Sequence, residues 1–247
     1  MPRKGLFDIH CHIVPSVDDG SDSREETIKM LRMEYGQGVR RIIATPHFRR
    51  RMFETPYETV KEQFQILKEA ALEVSDDFEI YLGCEFHANM EMVEMLDTDQ
   101  AATMAGSRYV LTEFSGSTPS SYIKERLYSL LSHGYRPIVA HIERYESMRK
   151  DVSLVEEIAD MGAFIQINAD SILGKEGFGC KRYCKKLLKS ELVHYVGSDC
   201  HGSTRRISRI GEAYDYIEKK WGTIYADQIF IKNPQKILEN AKNRKGR

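Results

Sequence analysis

Leu6-Phe7-Asp8-Ile9-His10-Cys11-His12-Ile13-Val14 opens the chain with an apolar, strand-like run that ends in histidines. Polar groups of this kind are costly inside a parallel sheet, where they lose hydration. At the mouth of an α/β barrel, by contrast, the carboxyl ends of the strands carry the chemistry. Five further runs end in the same way: Ile42 to His47, Ile80 to Glu85, Tyr109 to Glu113, Ile138 to His141 and Val193 to His201. One such ending carries little weight, because a paired core or surface histidine is common. Six in register imply convergence on one site, and therefore an enzyme.

Working outward, amphipathic stretches separate these runs. Ser23 to Glu26 read as an S-x-x-E capping box ahead of Ile28, Leu31 and Tyr35, with Gly36 and Gly38 as the stop. Tyr57, Val60, Phe64, Leu67 and Ala71 keep helical spacing, as do Ile123, Leu127, Leu130 and Leu131 before Gly134. Ser153 to Glu156 repeat the capping box, and Tyr183, Leu187 and Leu188, then Ala213, Tyr216 and Ile217, mark two more helices. Asn233 and Pro234 read as N-cap and N1 of a last one. With Phe164 to Ala169 added, seven strand candidates alternate with helices, the pattern of parallel βαβ units. A closed or nearly closed barrel is expected over a doubly wound open sheet, which would gather its ligands at one switch point. No internal repeat, low-complexity tract or linker divides the chain, so residues 1–247 are read as one barrel domain.

Composition excludes several classes. A formal net charge of -1 argues against a dedicated nucleic-acid binder or a polybasic membrane anchor. No apolar run approaches the roughly 20 residues that span a bilayer, and MPRKGLFDIH lacks the long apolar core of a signal peptide. The five cysteines, Cys11, Cys84, Cys180, Cys184 and Cys200, are odd in number and contain no C-x-x-C pair. A disulfide framework is not expected, and a cytoplasmic location fits.

Residues two apart on a strand share a face, so Asp8, His10 and His12 should point together, as should Asp199 and His201. Cys11 and Cys200 should point the other way. His47, Glu85, Glu113 and His141 at other strand ends, with Asp19 in the Val17-Asp18-Asp19-Gly20 turn, complete a shell of imidazole and carboxylate groups. That is more than one four-coordinate zinc can use, so several ions are implied. A donor set without thiolate suits manganese, iron or zinc. His133, in a helix's last turn, and His194, of opposite parity to Asp199, stay with structural roles. His87 shares a face with Glu85 and is a candidate for the pocket wall. Met90, Met92 and Met95, at helical spacing, read as core or lid packing.

The strings DIHCHIVPSVDDG, TPHF, GCEF, TEFS, AHIERY and SDCH, in this order, resemble the PHP (polymerase and histidinol phosphatase) superfamily. Within it the chain is most similar to the manganese-dependent protein-tyrosine phosphatases of Gram-positive capsule and exopolysaccharide gene clusters. The similarity covers nearly the whole chain, and DDG together with HIERY is specific to that branch. The resemblance implies a distorted TIM-like (β/α)7 barrel, the PHP fold. It implies a trinuclear centre, manganese being the expected metal, held by His10, His12, Asp19, His47, Glu85, Glu113, His141, Asp199 and His201, with Glu85 bridging two ions. Arg144 and Arg206 match arginines that hold the substrate phosphate. The implied partner is a phosphotyrosine protein, the tyrosine-rich tail of a bacterial tyrosine kinase of polysaccharide export. His87 departs from the family, standing where an aromatic residue is common.

The chemistry expected is in-line attack on phosphorus by a hydroxide bridging two metals, without a phosphoenzyme. His87, Asp18 and a metal-bound water are candidates for the general acid. Arg49-Arg50-Arg51 follows His47 and reads either as an attractor for an acidic tail or as a solvated loop. Ser115 to Ser121, SGSTPSS, reads as a flexible loop near the pocket. Three rival readings stand beside this one. Cys200 to Arg206 satisfies C-x5-R, the spacing of cysteine-based phosphatases, although strand parity aims Cys200 away from the ligands. The same PHP site could act on histidinol phosphate, another small phosphomonoester or a nucleic-acid phosphodiester. A non-catalytic regulatory module would keep the fold without the complete ligand set.

Overall fold

A computed structural model describes residues 5–245. Nine strand segments, all paired in parallel, build the centre: β1 (Leu6–Asp8), β2 (Val39–Ala44), β3 (His47–Phe48), β4 (Glu79–Leu82), β5 (Glu85–His87), β6 (Tyr109–Glu113), β7 (Arg136–Val139), β8 (Phe164–Asn168) and β9 (Tyr195–Gly197). They make seven staves, because β2 runs on into β3 and β4 into β5. Pro46, which has no N–H to give to the ladder, accompanies the first break. Pairing persists across both: Thr45 N–H donates to Cys11 O at 2.9 Å, Gly83 N–H to Ala44 O at 2.7 Å and Glu85 N–H to Pro46 O at 3.0 Å. The ring closes where the first stave meets the last, with Asp199 N–H on His10 O at 2.7 Å and His12 N–H on Cys200 O at 2.9 Å. The seven-stranded barrel expected from the sequence is therefore present.

The distortion has a local cause. β4 pairs with β2 but not with β6, whereas β5 pairs with β6, so the barrel is complete at its carboxyl end and split below. Met104, on the turn Met104–Gly106, fills the split among the inward side chains Phe7, Ile9, Ile43, Tyr109, Leu111, Ile138 and Tyr195. Gly83 leaves it room: a Cβ there would stand 2.9 Å from Met104 Sδ. Outward residues such as Ile42, Val110, Val139, Ile165 and Val196 pack against the helices through Leu67, Leu127, Ile158, Leu187 and Ile217. Each such side chain is worth roughly 1.5–3 kcal/mol on burial, and this second layer holds the frame rigid.

Three local expectations are corrected. Ser23 caps its helix by accepting from Glu26 N–H at 3.3 Å, but Glu26 takes Ser203 N–H at 2.6 Å rather than closing the box on itself. Ser153 is the first residue of its helix, not the cap, and its N–H donates to Asp151 at 2.9 Å. Asn233 is helical: the chain coils continuously from Thr223 through a π-turn at Gln228–Lys232 into Asn233–Lys245, and that wider turn precedes Pro234.

The shared face expected for Asp8, His10 and His12 is also not observed. Phe7 and Ile9 point into the barrel and Asp8 outward, and the chain bends at His10, which turns both histidines inward. Asp8 instead locks the ring from outside. Its carboxylate accepts from Ser198 N–H at 3.0 Å, from Ser198 Oγ and from His10 N–H at 3.2 Å. Burial pushes the carboxyls of Asp8 and neighbouring Glu34 up, Glu34 the further. Asp8→Ala would strand two buried N–H groups at roughly 1–3 kcal/mol each. It is expected to lower unfolding stability by about 3 kcal/mol in urea titrations; an unchanged midpoint would show that the ring closes without it.

Candidate metal centre

The carboxyl ends of the staves, with Asp19 on the turn after the first, bring all nine expected ligands to one place. Three interlocking groups have ligand atoms within 4.8 Å of one another: His12, Asp19, His47 and His201; His10, His12, Glu85 and Asp199; and His47, Glu85 and Glu113. His141 joins through Nε2, 2.8 Å from Glu85 and 3.8 Å from Glu113. Backbone strain aids this convergence. His141 follows inward Ala140 and should face out, but its left-handed φ of 30° turns it in, and Asp199 adopts φ 53°. Such conformations cost about 1–3 kcal/mol and persist where the surroundings enforce them.

Neighbouring acceptors fix the ring tautomers. His12 Nδ1 stands 2.7 Å from Asp18 Oδ2, and His201 Nδ1 stands 3.0 Å from the Asp199 carbonyl. His10 Nδ1 faces Gln166 Oε1 at 3.2 Å, an oxygen that also accepts from His141 N–H at 2.8 Å. All three Nδ1 atoms are therefore donors, which turns each Nε2 toward the centre. His10 Nε2, His12 Nε2, His201 Nε2, Glu85 Oε2 and Glu113 Oε2 are buried without a hydrogen-bond partner. Burial would raise the Glu85 carboxyl, yet His10, His12 and His141 outweigh it and hold it well below the carboxylate range. Burial and then Glu85 push Glu113 up. Buried imidazole nitrogens without hydrogen-bond partners beside mutually repelling carboxylates are the donor set that a hard or borderline cation satisfies.

Arg144 and Arg206 converge on the rim. Arg144 Nη1 lies 2.6 Å from Asp199 Oδ2, and Arg206 Nη2 lies 2.9 Å from Asp199 Oδ1. A hollow of about 300 Å³ lined by Asp19, Gly20, His201, Gly202, Arg205 and Arg206 opens here. A larger one of about 440 Å³, between Phe64, Leu82 and Thr103, contains none of these groups and lies away from the chemistry. Cys200 is buried on the outer side, its Sγ 3.8 Å from Glu34 Oε1, so C-x5-R cradles nothing.

The remaining candidates separate cleanly. Asp18, held to about pH 2 by His12 and by the His47 and Gly20 N–H groups against the effect of burial, orients His12 and has no proton to give. Burial, with Arg49, lowers the His87 pKa to about 4, and its Nε2 meets Ser115 Oγ at 3.1 Å, which places the SGSTPSS loop at the pocket wall. Arg50 is taken by Glu91 and Glu54, and Arg51 is exposed with φ 65°. His133 caps a helix end on Ser129 O, and His194 accepts from Ile165 N–H. Met92 and Met95 are buried in the core, while Met90 is exposed. Gln166 and Asn168 were missed. Asn168 Nδ2 donates to Asp199 Oδ2 at 2.9 Å, and the polar alternation in Phe164-Ile-Gln-Ile-Asn168 was their available signal.

Residues 6–239 match the family model for capsular polysaccharide synthesis, CpsB/CapC. The chain belongs to the CpsB/CapC family. It is 41% identical over 238 residues to the tyrosine-protein phosphatase CpsB of Streptococcus pneumoniae, covering 94% of this chain and 98% of that protein. It is 30% identical to the tyrosine-protein phosphatase YwqE of Bacillus subtilis, covering 95% and 92%. A crystal structure of YwqE and CpsB, described as unique metal-dependent tyrosine phosphatases, superposes with a TM-score of 0.83 at 30% identity, covering 96% and 92%. The phosphotriesterase homology protein of Escherichia coli, at 14% identity and a TM-score of 0.62, shares the fold.

Gly197 leaves this CpsB/CapC chain no room for a side chain beneath the centre, since a Cβ would stand 2.5 Å from His10 Cβ. Gly197→Ala is expected to weaken manganese binding by about tenfold or more in equilibrium dialysis. Gly36→Ala, where a Cβ meets nothing within 4 Å, should bind normally; equal binding by both variants would contradict the placement of His10.

Proposed function

We propose that this protein is a metal-dependent protein-tyrosine phosphatase, and that residues 1–247 work as one domain. The observation that carries the reading is the meeting of Arg144 and Arg206 at the edge of the histidine and carboxylate cluster. A phosphate needs planar cationic donors on its outer oxygens and a multivalent cation site beneath. His10, His12, Asp19, His47, Glu85, Glu113, His141, Asp199 and His201 would hold the ions, three in number and manganese in kind. Bound there, such ions supply Lewis-acid neutralisation of the phosphoryl oxygens and water activation near neutral pH.

The protein's own groups do the positioning. Asp199 preorders both guanidinium groups, which hold the phosphate for attack. Asp18 and Gln166 hold the His12 and His10 rings in place and turn the Nε2 atom of each toward the cluster. The tyrosine specificity rests on the relatives, two of which are named as tyrosine-protein phosphatases. The capsule-synthesis family suggests the phosphorylated, tyrosine-rich tail of a bacterial tyrosine kinase as the protein substrate. Among the described residues no helix is long and apolar enough to cross a membrane, which is compatible with action in the cytoplasm.

Chelation should abolish phosphate release from phosphotyrosine peptides, and manganese should restore it best. Phosphoserine peptides and histidinol phosphate should be poorer substrates. Activity in protein shown metal-free by elemental analysis would defeat the metal reading, and a preference for histidinol phosphate would reassign the substrate. Arg144→Ala and Arg206→Ala should each lower kcat/KM about tenfold or more, equivalent to roughly 1.4 kcal/mol of transition-state stabilisation, at unchanged metal content. Loss of metal in either variant would make that arginine structural.

A further inference from the structure

A second concentration of charge lies outside the metal-type cluster. The helix Phe178–Lys189 buries Tyr183, Cys184, Leu187 and Leu188 and exposes Arg182, Lys185, Lys186 and Lys189. Beside it the short helix Glu146–Lys150 ends in exposed Arg149 and Lys150. Between the two is a hollow of about 140 Å³ lined by Arg149, Gly179, Arg182, Tyr183 and Lys186, with no carboxylate in its wall. Tyr183 Oη donates to Met148 O at 2.6 Å and so ties the two helices together beneath it.

These cations differ from several others on the surface. Arg24, Arg41, Arg50 and Arg209 are each neutralised by an acidic partner. Among the described residues Arg149, Arg182 and Lys186 form no ion pair. Cations gathered round a concave floor repel one another and raise the local concentration of anions. Gly179 forms the floor beside Arg149, a Cβ there standing at ordinary contact distance, 3.6 Å, from Arg149 Nη2.

The hollow is wired to the active site from both sides. Arg149 lies on the segment that carries Arg144, and Glu176, just before Phe178, stands 3.3 Å from Arg144 Nη2. A polypeptide with its phosphotyrosine over the metal centre would therefore pass segments that also wall this hollow. We propose that the hollow binds a second anionic side chain, phosphate or carboxylate, of the same substrate polypeptide. This rests on the reading of the protein as a protein-tyrosine phosphatase. Guanidinium forks converging on a space for one small anion suit such a group better than a bilayer surface, which favours dispersed lysines and inserted apolar residues. Phe178, next to Gly179 in the chain and 83% exposed, offers an apolar face to the adjoining residues.

The test uses the manganese-loaded full chain and a set of phosphotyrosine peptides. Their second site, at varied spacing, carries phosphotyrosine, glutamate or an uncharged residue. An anion at one spacing is expected to raise kcat/KM about five- to tenfold through KM. Arg149→Ala/Arg182→Ala should erase that gain while turnover of p-nitrophenyl phosphate and of the singly charged peptide stays unchanged. Comparison of the glutamate and phosphotyrosine arms tells carboxylate from phosphate. A wild-type enzyme indifferent to the second charge, or a preference that survives in the double variant, overturns the proposal. So does an arginine-dependent affinity for phosphatidylglycerol vesicles without any peptide effect, which would assign the patch to a membrane. Hydrolysis of p-nitrophenyl phosphate without hydrolysis of any phosphopeptide would instead defeat the protein-phosphatase reading itself.

Discussion

The burial of Glu85 among four imidazoles is the interaction on which the rest of the structure depends. Its oxygens lie 2.8 Å from His141 Nε2, 2.9 Å from His47 Nδ1, 3.2 Å from His10 Nε2 and 3.3 Å from His12 Nε2. Removing a carboxylate from water costs several kcal/mol, and only well-placed partners offset it. Those partners come from three other staves, so the full set is in place only when the barrel is closed. The backbone bonds between the first and last staves, the Met104 wedge in the split wall and the Asp8 clasp outside all serve this registration.

Much of this was legible in the sequence. Strands announced themselves by apolar runs ending in ligand-type residues, and helices by three-and-four spacing. All seven staves lie where those patterns put them. What could not be read depends on single backbone turns or on partners distant in sequence. The bend at His10 reverses the alternation established by Phe7 and Ile9, and the left-handed residue at His141 does the same after Ala140. Glu26 matches a capping box by spacing but is claimed by Ser203 N–H, a contact set by tertiary packing. Gln166 and Asn168 were hidden because neither is a common metal ligand and their task is to orient groups that are.

Opposite faces of one strand explain why two phosphatase signatures coexist in this chain. The D-x-H of Asp199 and His201 faces inward, whereas Cys200 of the C-x5-R string turns to Glu34 on the helical side. Spacing alone cannot distinguish them, but direction does. The barrel by itself is equally silent about chemistry, since a protein only 14% identical shares it and one fold supports many reactions. What sets this barrel apart is its rim, where arginines meet a cluster of histidines and carboxylates.

The central claim is that eight strand-end residues and Asp19 of the following turn form one multinuclear cation site. An anomalous difference map from manganese-soaked crystals, recorded on both sides of the manganese absorption edge, tests it most directly. The account predicts three peaks enclosed by His10, His12, Asp19, His47, Glu85, Glu113, His141, Asp199 and His201, each about 2.0–2.3 Å from its nitrogen and oxygen donors. Peaks located elsewhere, or none at saturating manganese, would contradict it.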